Sequence, residues 1–228
     1  GIRIKDTLLL SSGSHGKYLG RIDLKVKNGK VVDTSSNLIP VFSDIIPPDP
    51  DMTKLINKIR APYQSECNRV IGETETLLYR RGNFNGSWDD VICDTIIRER
   101  DTEISLSPGF RWGTTLLPGQ KITIDDIYSQ TSMNYPEVYR IEMTGKMIKE
   151  ILEDVCDNIF NPDPFFQQGG DMVRVGGLTY TCRPKNKMGN RISNLRIISS
   201  DKPLESNKNY VVGGWGSVCL LYTSDAAD

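Results

Sequence analysis

The 228-residue sequence contains one histidine, His15, in Ser14-His15-Gly16-Lys17. No HxH, HxxxH or DxH spacing accompanies it. Ser-His-Asp and Cys-His catalysis, and metal sites built from several imidazoles, have nothing here to assemble on. His15 therefore reads as a loop or surface residue, or as a group standing behind the residues that touch a ligand. Cysteines are scarce too: there are 5, and none forms a CxxC pair. That spacing argues against a zinc site. One disulfide is allowed, but neither its pairing nor the compartment follows from the count. An excess of charge is also missing, with 28 Lys+Arg against 29 Asp+Glu and a net charge of -1. That balance excludes the basic stripe of a general nucleic-acid binder. Apolar runs such as Thr7-Leu8-Leu9-Leu10 fall far short of the ~18–20 residues that span a bilayer. At 38% apolar and 8% aromatic, the chain can fill a core and is not disordered. A soluble globular protein is expected.

The ends are expected to be cut. There is no initiator Met, and no signal-like n- and h-region precedes Gly1-Ile2-Arg3-Ile4. Residues 219–228, from Cys219 to Asp228, neither continue a strand nor cap a helix. They resemble a translated adapter read-through and are read as a non-native tail. Without Cys219, the cysteines are Cys67, Cys93, Cys156 and Cys182.

Residues 18–42 alternate as a hairpin should. Ile22, Leu24 and Val26 share a face, and Asn28-Gly29 supplies the turn. With a Leu8–Leu10 strand they are expected to form the edge of one antiparallel sheet. Residues 1–46 thus read as the remnant of a domain that begins upstream. Asp49 can cap a helix that Pro50 opens and Pro62 stops, with Met52, Leu55, Ile56, Ile59 and Tyr63 as its apolar stripe. That helix, in 47–67, is taken as a linker. The domain at 68–218 mixes helices and strands. Ser87-Trp88-Asp89-Asp90 looks like a capping box, predicting a helix that buries Trp88, Val91, Ile92 and Ile96. Glu103–Ser107 and Val138–Met143 read as strands. Thr123 caps a short helix containing Ile124, Ile127 and Tyr128. Thr144 opens a helix burying Met147, Ile148, Ile151, Leu152, Val155 and Ile159, stopped by Asn161-Pro162. Leu178–Cys182, Ile192–Ile198 and a segment at Tyr210 complete the strands. The fold class is α+β.

Three segments break the amphipathic rhythm. Arg80-Arg81-Gly82-Asn83-Phe84-Asn85-Gly86 precedes a helix N-terminus. Guanidinium forks, amides and free N–H groups suit a phosphate, sulfate or sulfonate there. A glycine-rich turn with solvated arginines accounts for the same residues. Ser107-Pro108-Gly109-Phe110-Arg111-Trp112-Gly113 puts an arginine on a tight turn after a strand, where functional residues often sit. Arg111 stacked on Trp112 for packing is the alternative. Asn161-Pro162-Asp163-Pro164-Phe165-Phe166-Gln167-Gln168-Gly169-Gly170-Asp171 combines stiff prolines, a Phe pair that must pack somewhere, and a double glycine that admits a close ligand. It reads equally as a structural loop. From these residues the chain is an anion-binding module with no visible catalyst.

The same segments resemble the C-terminal half of the 5′-nucleotidase family. Gly16-Lys17-Tyr18-Leu19-Gly20 looks like the end of that family's metallophosphatase domain. Tyr79–Gly86, Ser107–Gly113 and the stretch from Asn161 through Gly177 are similar to its SoxB-like thiosulfohydrolase branch. The likeness runs from about Leu8 to Val218. It implies a 5′-nucleotidase C-terminal-domain-like fold preceded by the last strands of a metallophosphatase-like β-sandwich. It also implies a periplasmic enzyme with two Mn ions, whose ligands lie upstream of Gly1. The implied reaction is hydrolysis of a cysteine S-thiosulfonate on the arm of a SoxYZ-type carrier protein, releasing sulfate, with metal-activated hydroxide attacking the terminal sulfur. Arg111 would clamp the sulfonate with Arg81 and Asn85 beside it, and Asp171 would also bind substrate. Trp112 and Tyr135 would wall the channel. No catalytic or metal-binding residue is expected in this piece, which should be inactive alone. From the charge balance and the short apolar runs, no nucleic-acid or membrane partner is expected. A nucleotide phosphomonoesterase of the parent family and a non-catalytic peptide-binding module are the competing readings.

Overall fold

The computed structural model describes residues 2–13, 16–110, 113–131 and 137–215. The chain divides into two compact units, Gly1–Gln64 and Ser65–Asp228. This division falls inside the segment 47–67 read as a linker.

In the first unit, β1 (Ile2–Ile4) pairs antiparallel with β2 (Thr7–Leu9), and β3 (Tyr18–Lys27) with β4 (Lys30–Pro40). Asn28 and Gly29, at φ 51° and 72°, make the expected tight turn. The expected single sheet does not form: the two ladders are separate, with β1 and β2 joined by a turn at Lys5, at φ 53°. Arg3 reaches across to Thr34, donating to its hydroxyl and to its carbonyl oxygen. Helix α1 (Pro50–Arg60) starts as expected, with the Asp49 carboxylate accepting the Met52 N–H at 2.8 Å. Its stripe of Met52, Leu55, Ile56 and Ile59, continued by Tyr63, is exposed. The division between the units falls at the start of the short α2 (Gln64–Cys67).

The second unit runs β5 (Val70–Glu73), α3 (Ser87–Arg100), β6 (Ile104–Ser107), β7 (Lys121–Thr123), α4 (Ile124–Thr131), β8 (Val138–Thr144), α5 (Gly145–Ile159), β9 (Arg174–Gly176), β10 (Leu178–Cys182), β11 (Ile192–Ile197), β12 (Lys202–Pro203) and β13 (Asn209–Trp215). A four-stranded sheet has the order β8-β13-β6-β9, with β13 parallel to β6 and antiparallel to β8. β10, β11 and β12 form a second sheet, and β5 pairs with β7. The α+β class stands.

Helix α5 shows why the core sits where it does. Thr144 caps it, its hydroxyl accepting the Met147 N–H at 3.2 Å. Ile148, Leu152 and Cys156, spaced by four, then face inward and pack with Ile104, Leu106, Met143, Tyr210 and Val212. Each such aliphatic side chain contributes roughly 1.5–3 kcal/mol on burial. Met147, expected inside, is exposed. Glu153 is buried on the same face because its carboxylate accepts the Arg191 and Ile192 N–H groups at 2.8 and 2.9 Å, tying α5 to β11. The Arg191 guanidinium donates to Asp157 at 2.6 Å and to the Phe160 carbonyl at 3.1 Å, a cation at the helix C-terminus.

Helix α3 corrects two expectations. Its cap is Gly86, not Ser87, and Asp89 at the third helical position returns the capping bond from the Gly86 N–H at 2.9 Å. The buried face is Trp88, Asp89, Cys93 and Ile96, while Val91 is exposed. A charge–charge contact described below pulls Asp89 inward, which turns Val91 out. Among the described residues, no helix is long and apolar enough to cross a membrane.

Candidate functional site

The segment before α3 is stitched to the helix start. The Ser87 hydroxyl accepts the Tyr79 N–H at 3.1 Å and donates to the Leu77 carbonyl, and the Trp88 N–H donates to the Tyr79 carbonyl at 3.1 Å. Leu78 and Leu116 exchange both backbone bonds at 2.9 Å. A Cβ on Gly86 would collide with the Tyr79 carbonyl, so this close approach requires glycine.

Arg80 then turns fully inward. Its Nε donates to Asp89 Oδ1 at 2.6 Å, Nη1 to the Gln130 carbonyl at 2.7 Å and Nη2 to the Pro108 carbonyl at 2.9 Å. One guanidinium thus binds α3, the end of α4 and the loop after β6. Arg174 is equally buried. Its Nη2 donates to the Gly82 carbonyl at 2.9 Å and to Asp171 Oδ2 at 3.3 Å, and its Nε lies 3.4 Å from Asp89 Oδ2. Two guanidiniums and two carboxylates are therefore enclosed together, with balanced charge. Burial pushes the Asp89 carboxyl above its ordinary range, opposed by Arg80, the Gly86 N–H and Arg174.

Two further links close the arrangement. The Met172 N–H donates to the Asn83 carbonyl at 3.0 Å, joining the segment after residue 170 to the 80–86 loop. Trp215 Nε1 donates to the Ser107 hydroxyl at 2.8 Å, joining the end of β13 to the end of β6. The three segments that broke the sequence pattern therefore meet at one place, held by Arg80, Asp89, Asp171 and Arg174, for which the sequence reading foresaw other roles or none.

Of the predicted site residues, Arg81 is half-buried and its Nη2 donates to the Gly113 carbonyl at 3.3 Å, bridging the first two loops. Asn85 pairs with β9 as a strand would: Nδ2 donates to the Val175 carbonyl at 2.9 Å, and Oδ1 accepts the Val175 N–H at 3.1 Å. Its Nδ2 also donates to Asp90 at 2.9 Å. Asp171 is buried against Arg174. Arg111, Trp112 and Tyr135 lie outside the described residues, as does His15.

The third loop differs from expectation at its Phe pair. Phe165 and Phe166 do not pack; they are 95% and 67% exposed on a 3-10 turn capped by Asp163. Asn158 fixes the loop's return, donating to the Gly169 carbonyl at 3.1 Å and accepting the Gln168 N–H at 2.6 Å. Among the described residues, no group of three or more His, Cys, Asp or Glu could hold a metal ion. The guanidiniums of Arg80, Arg81 and Arg174 are engaged by carboxylates and backbone carbonyls, so what the described arrangement does is fix the three loops against one another.

Residues 70–215 match the sequence family described as 5′-nucleotidase, C-terminal domain. The chain is 23% identical over 234 residues to the trifunctional nucleotide phosphoesterase YfkN of Bacillus subtilis strain 168, an alignment covering 95% of this chain and 16% of that protein. Its structure is similar to that of the sulfate thiohydrolase SoxB of Thermus thermophilus, with a TM-score of 0.83 and 36% identity, covering 89% of this chain and 38% of that one. It is also similar to a 5′-nucleotidase precursor from Thermus thermophilus, with a TM-score of 0.72 and 19% identity, covering 88% of this chain and 40% of that one. The chain thus spans two fifths or less of the length of these proteins.

Proposed function

The chain belongs to the 5′-nucleotidase C-terminal-domain family, whose members are metal-dependent hydrolases, and from that premise we propose that it is the substrate-binding part of a periplasmic thiosulfohydrolase. The substrate is a cysteine S-thiosulfonate presented by a SoxYZ-type carrier, and sulfate is released. The observation carrying this reading is the 36% identity to SoxB sustained over 89% of the chain.

In this reading the two Mn ions that the reaction needs are held by ligands upstream of Gly1. This chain's part is binding and orientation. Arg80 and Arg174 are neutralised by Asp89 and Asp171 and serve as the frame. Arg111, on the loop that Arg80 grips at Pro108, clamps the sulfonate. Arg81 supports it from the neighbouring loop. Asn85 and Asp171 hold the loops in register, and Trp112 and Tyr135 wall the channel for the carrier's arm.

The test uses the full-length protein and a carrier loaded with thiosulfonate. A charge-assisted hydrogen bond to a desolvated anion contributes roughly 1.5–3 kcal/mol. Replacing the fork by a point charge in Arg111→Lys should therefore lower the efficiency of sulfate release about ten- to 150-fold, with the thermal midpoint nearly unchanged. Arg111→Ala should lose more. Retained activity rejects the clamp, and unfolding makes Arg111 a packing residue. The likeness to YfkN favours a second reading, a nucleotide phosphomonoesterase. Phosphate release from nucleoside monophosphates, with no sulfate release from the carrier, would select it.

A further inference from the structure

Cys156 Sγ on α5 lies 3.4 Å from Cys182 Sγ at the end of β10, across 26 residues of sequence. The other described cysteines are Cys67, half-buried, and Cys93, buried. Cys156 has no exposed surface, whereas Cys182 is half-buried and can be reached from solvent.

We propose that Cys156 and Cys182 are a redox pair that closes into an intramolecular disulfide, pinning the last turns of α5 to the end of β10. A disulfide needs its sulfurs about 2.05 Å apart, so side-chain rotation must bring them some 1.4 Å closer. The oxidant is another disulfide, small or protein-borne. The Cys182 thiolate attacks one of its sulfurs, forming a mixed disulfide and expelling one thiolate. Cys156 then loses its proton, and its thiolate attacks Cys182 Sγ, expelling the second. Two protein thiols are oxidised by two electrons, and the external disulfide is reduced to two thiols. Burial pushes the Cys156 thiol up, so its loss of a proton opposes the second step.

The position gives the bond a consequence. Two residues beyond Cys156, Asn158 holds the exposed Phe165-Phe166 loop through the Gly169 carbonyl and the Gln168 N–H. Asp157, between them, binds Arg191. A cross-link at Cys156 therefore stiffens the turn that anchors this loop.

The experiment compares the 228-residue chain after incubation with oxidised glutathione and after incubation with reductant. Following unfolding and alkylation, the oxidised chain should show three of its five cysteines alkylated and the reduced chain all five. A peptide linking Cys156 to Cys182 should be found by mass spectrometry. Reduction should lower the thermal midpoint by roughly 7–14 °C, from the chain entropy of a loop this size. It should also speed exchange of the Gln168 amide. Cys182→Ser, a small change at a half-buried position, should show all four of its cysteines alkylated and the midpoint of the reduced chain under both conditions. Five alkylated cysteines in the oxidised sample, or a link from either residue to a different cysteine, would overturn the proposal.

Discussion

The Arg80 guanidinium and the Asp89 carboxylate meet at 2.6 Å, and neither side chain has any exposed surface. That contact decides the phase of α3 and sends the first arginine of the Arg80-Arg81 doublet inward. Arg81 remains at the rim, where it bridges to Gly113. Adjacent residues of the same type thus take different roles.

Removing Arg80 should therefore be far more destructive than removing Arg81. Arg80→Ala leaves Asp89 buried without its nearest cation and strips the Gln130 and Pro108 carbonyls of a donor. A loss of about 3–5 kcal/mol is expected. Arg80→Lys should recover only part, because an ammonium cannot span three acceptors in the guanidinium's fork. Arg81→Ala should cost no more than about 1 kcal/mol. Urea unfolding of the three variants checks the order.

Asn85→Asp is almost isosteric, but it turns a donor into an acceptor facing the Val175 carbonyl and Asp90, each 2.9 Å away. A destabilisation of about 2–4 kcal/mol is expected at neutral pH. The neighbouring Asp90 carboxylate and Val175 carbonyl raise the new carboxyl's pKa. The penalty relative to the unsubstituted chain should therefore shrink as pH falls and that group takes up a proton. Unfolding free energies of both chains at pH 7 and pH 5 measure the difference.

A Cβ on Gly109 would stand 2.5 Å from the Met172 carbonyl oxygen and 2.8 Å from that of Asp171. Gly109→Ala should push the second and third loops apart at a cost of about 1–3 kcal/mol. The Met172 N–H bond to Asn83 should weaken with them, so its amide should exchange faster. Unchanged exchange there would mean the loops adjust separately.

Cys93 gives a pH signature. Burial pushes its thiol up to about 12. The folded chain keeps the proton while the unfolded chain gives it up near pH 8.5. The contribution to stability is full below that value and falls by up to about 1.4 kcal/mol per pH unit as pH rises toward 12. Cys93→Ala should remove this slope at some loss of packing. The stability difference between the two chains, followed from pH 8 to pH 10.5, reads it directly.

Local signals were legible in the sequence where one residue or its near neighbours settle the backbone. Asn28-Gly29 turned the hairpin, Asp49 and Thr144 capped their helices, and Ile148 and Leu152, four residues apart, set the core face of α5, where the structure adds the buried Cys156. The three pattern-breaking loops could be picked out because glycine, proline and arginine cluster there. What holds them together could not: Arg80 stood in a loop suited to an anion, Asp89 in a capping box and Asp171 among the substrate-binding residues, and nothing in the sequence pairs them with one another or with Arg174. They become buried only when β6, β9 and the start of α3 are brought side by side, and only tertiary contact decides which arginine of a doublet finds a carboxylate. Cys156 and Cys182 teach the same lesson: 26 residues apart, they were two of several unpaired cysteines until α5 packed beside β10.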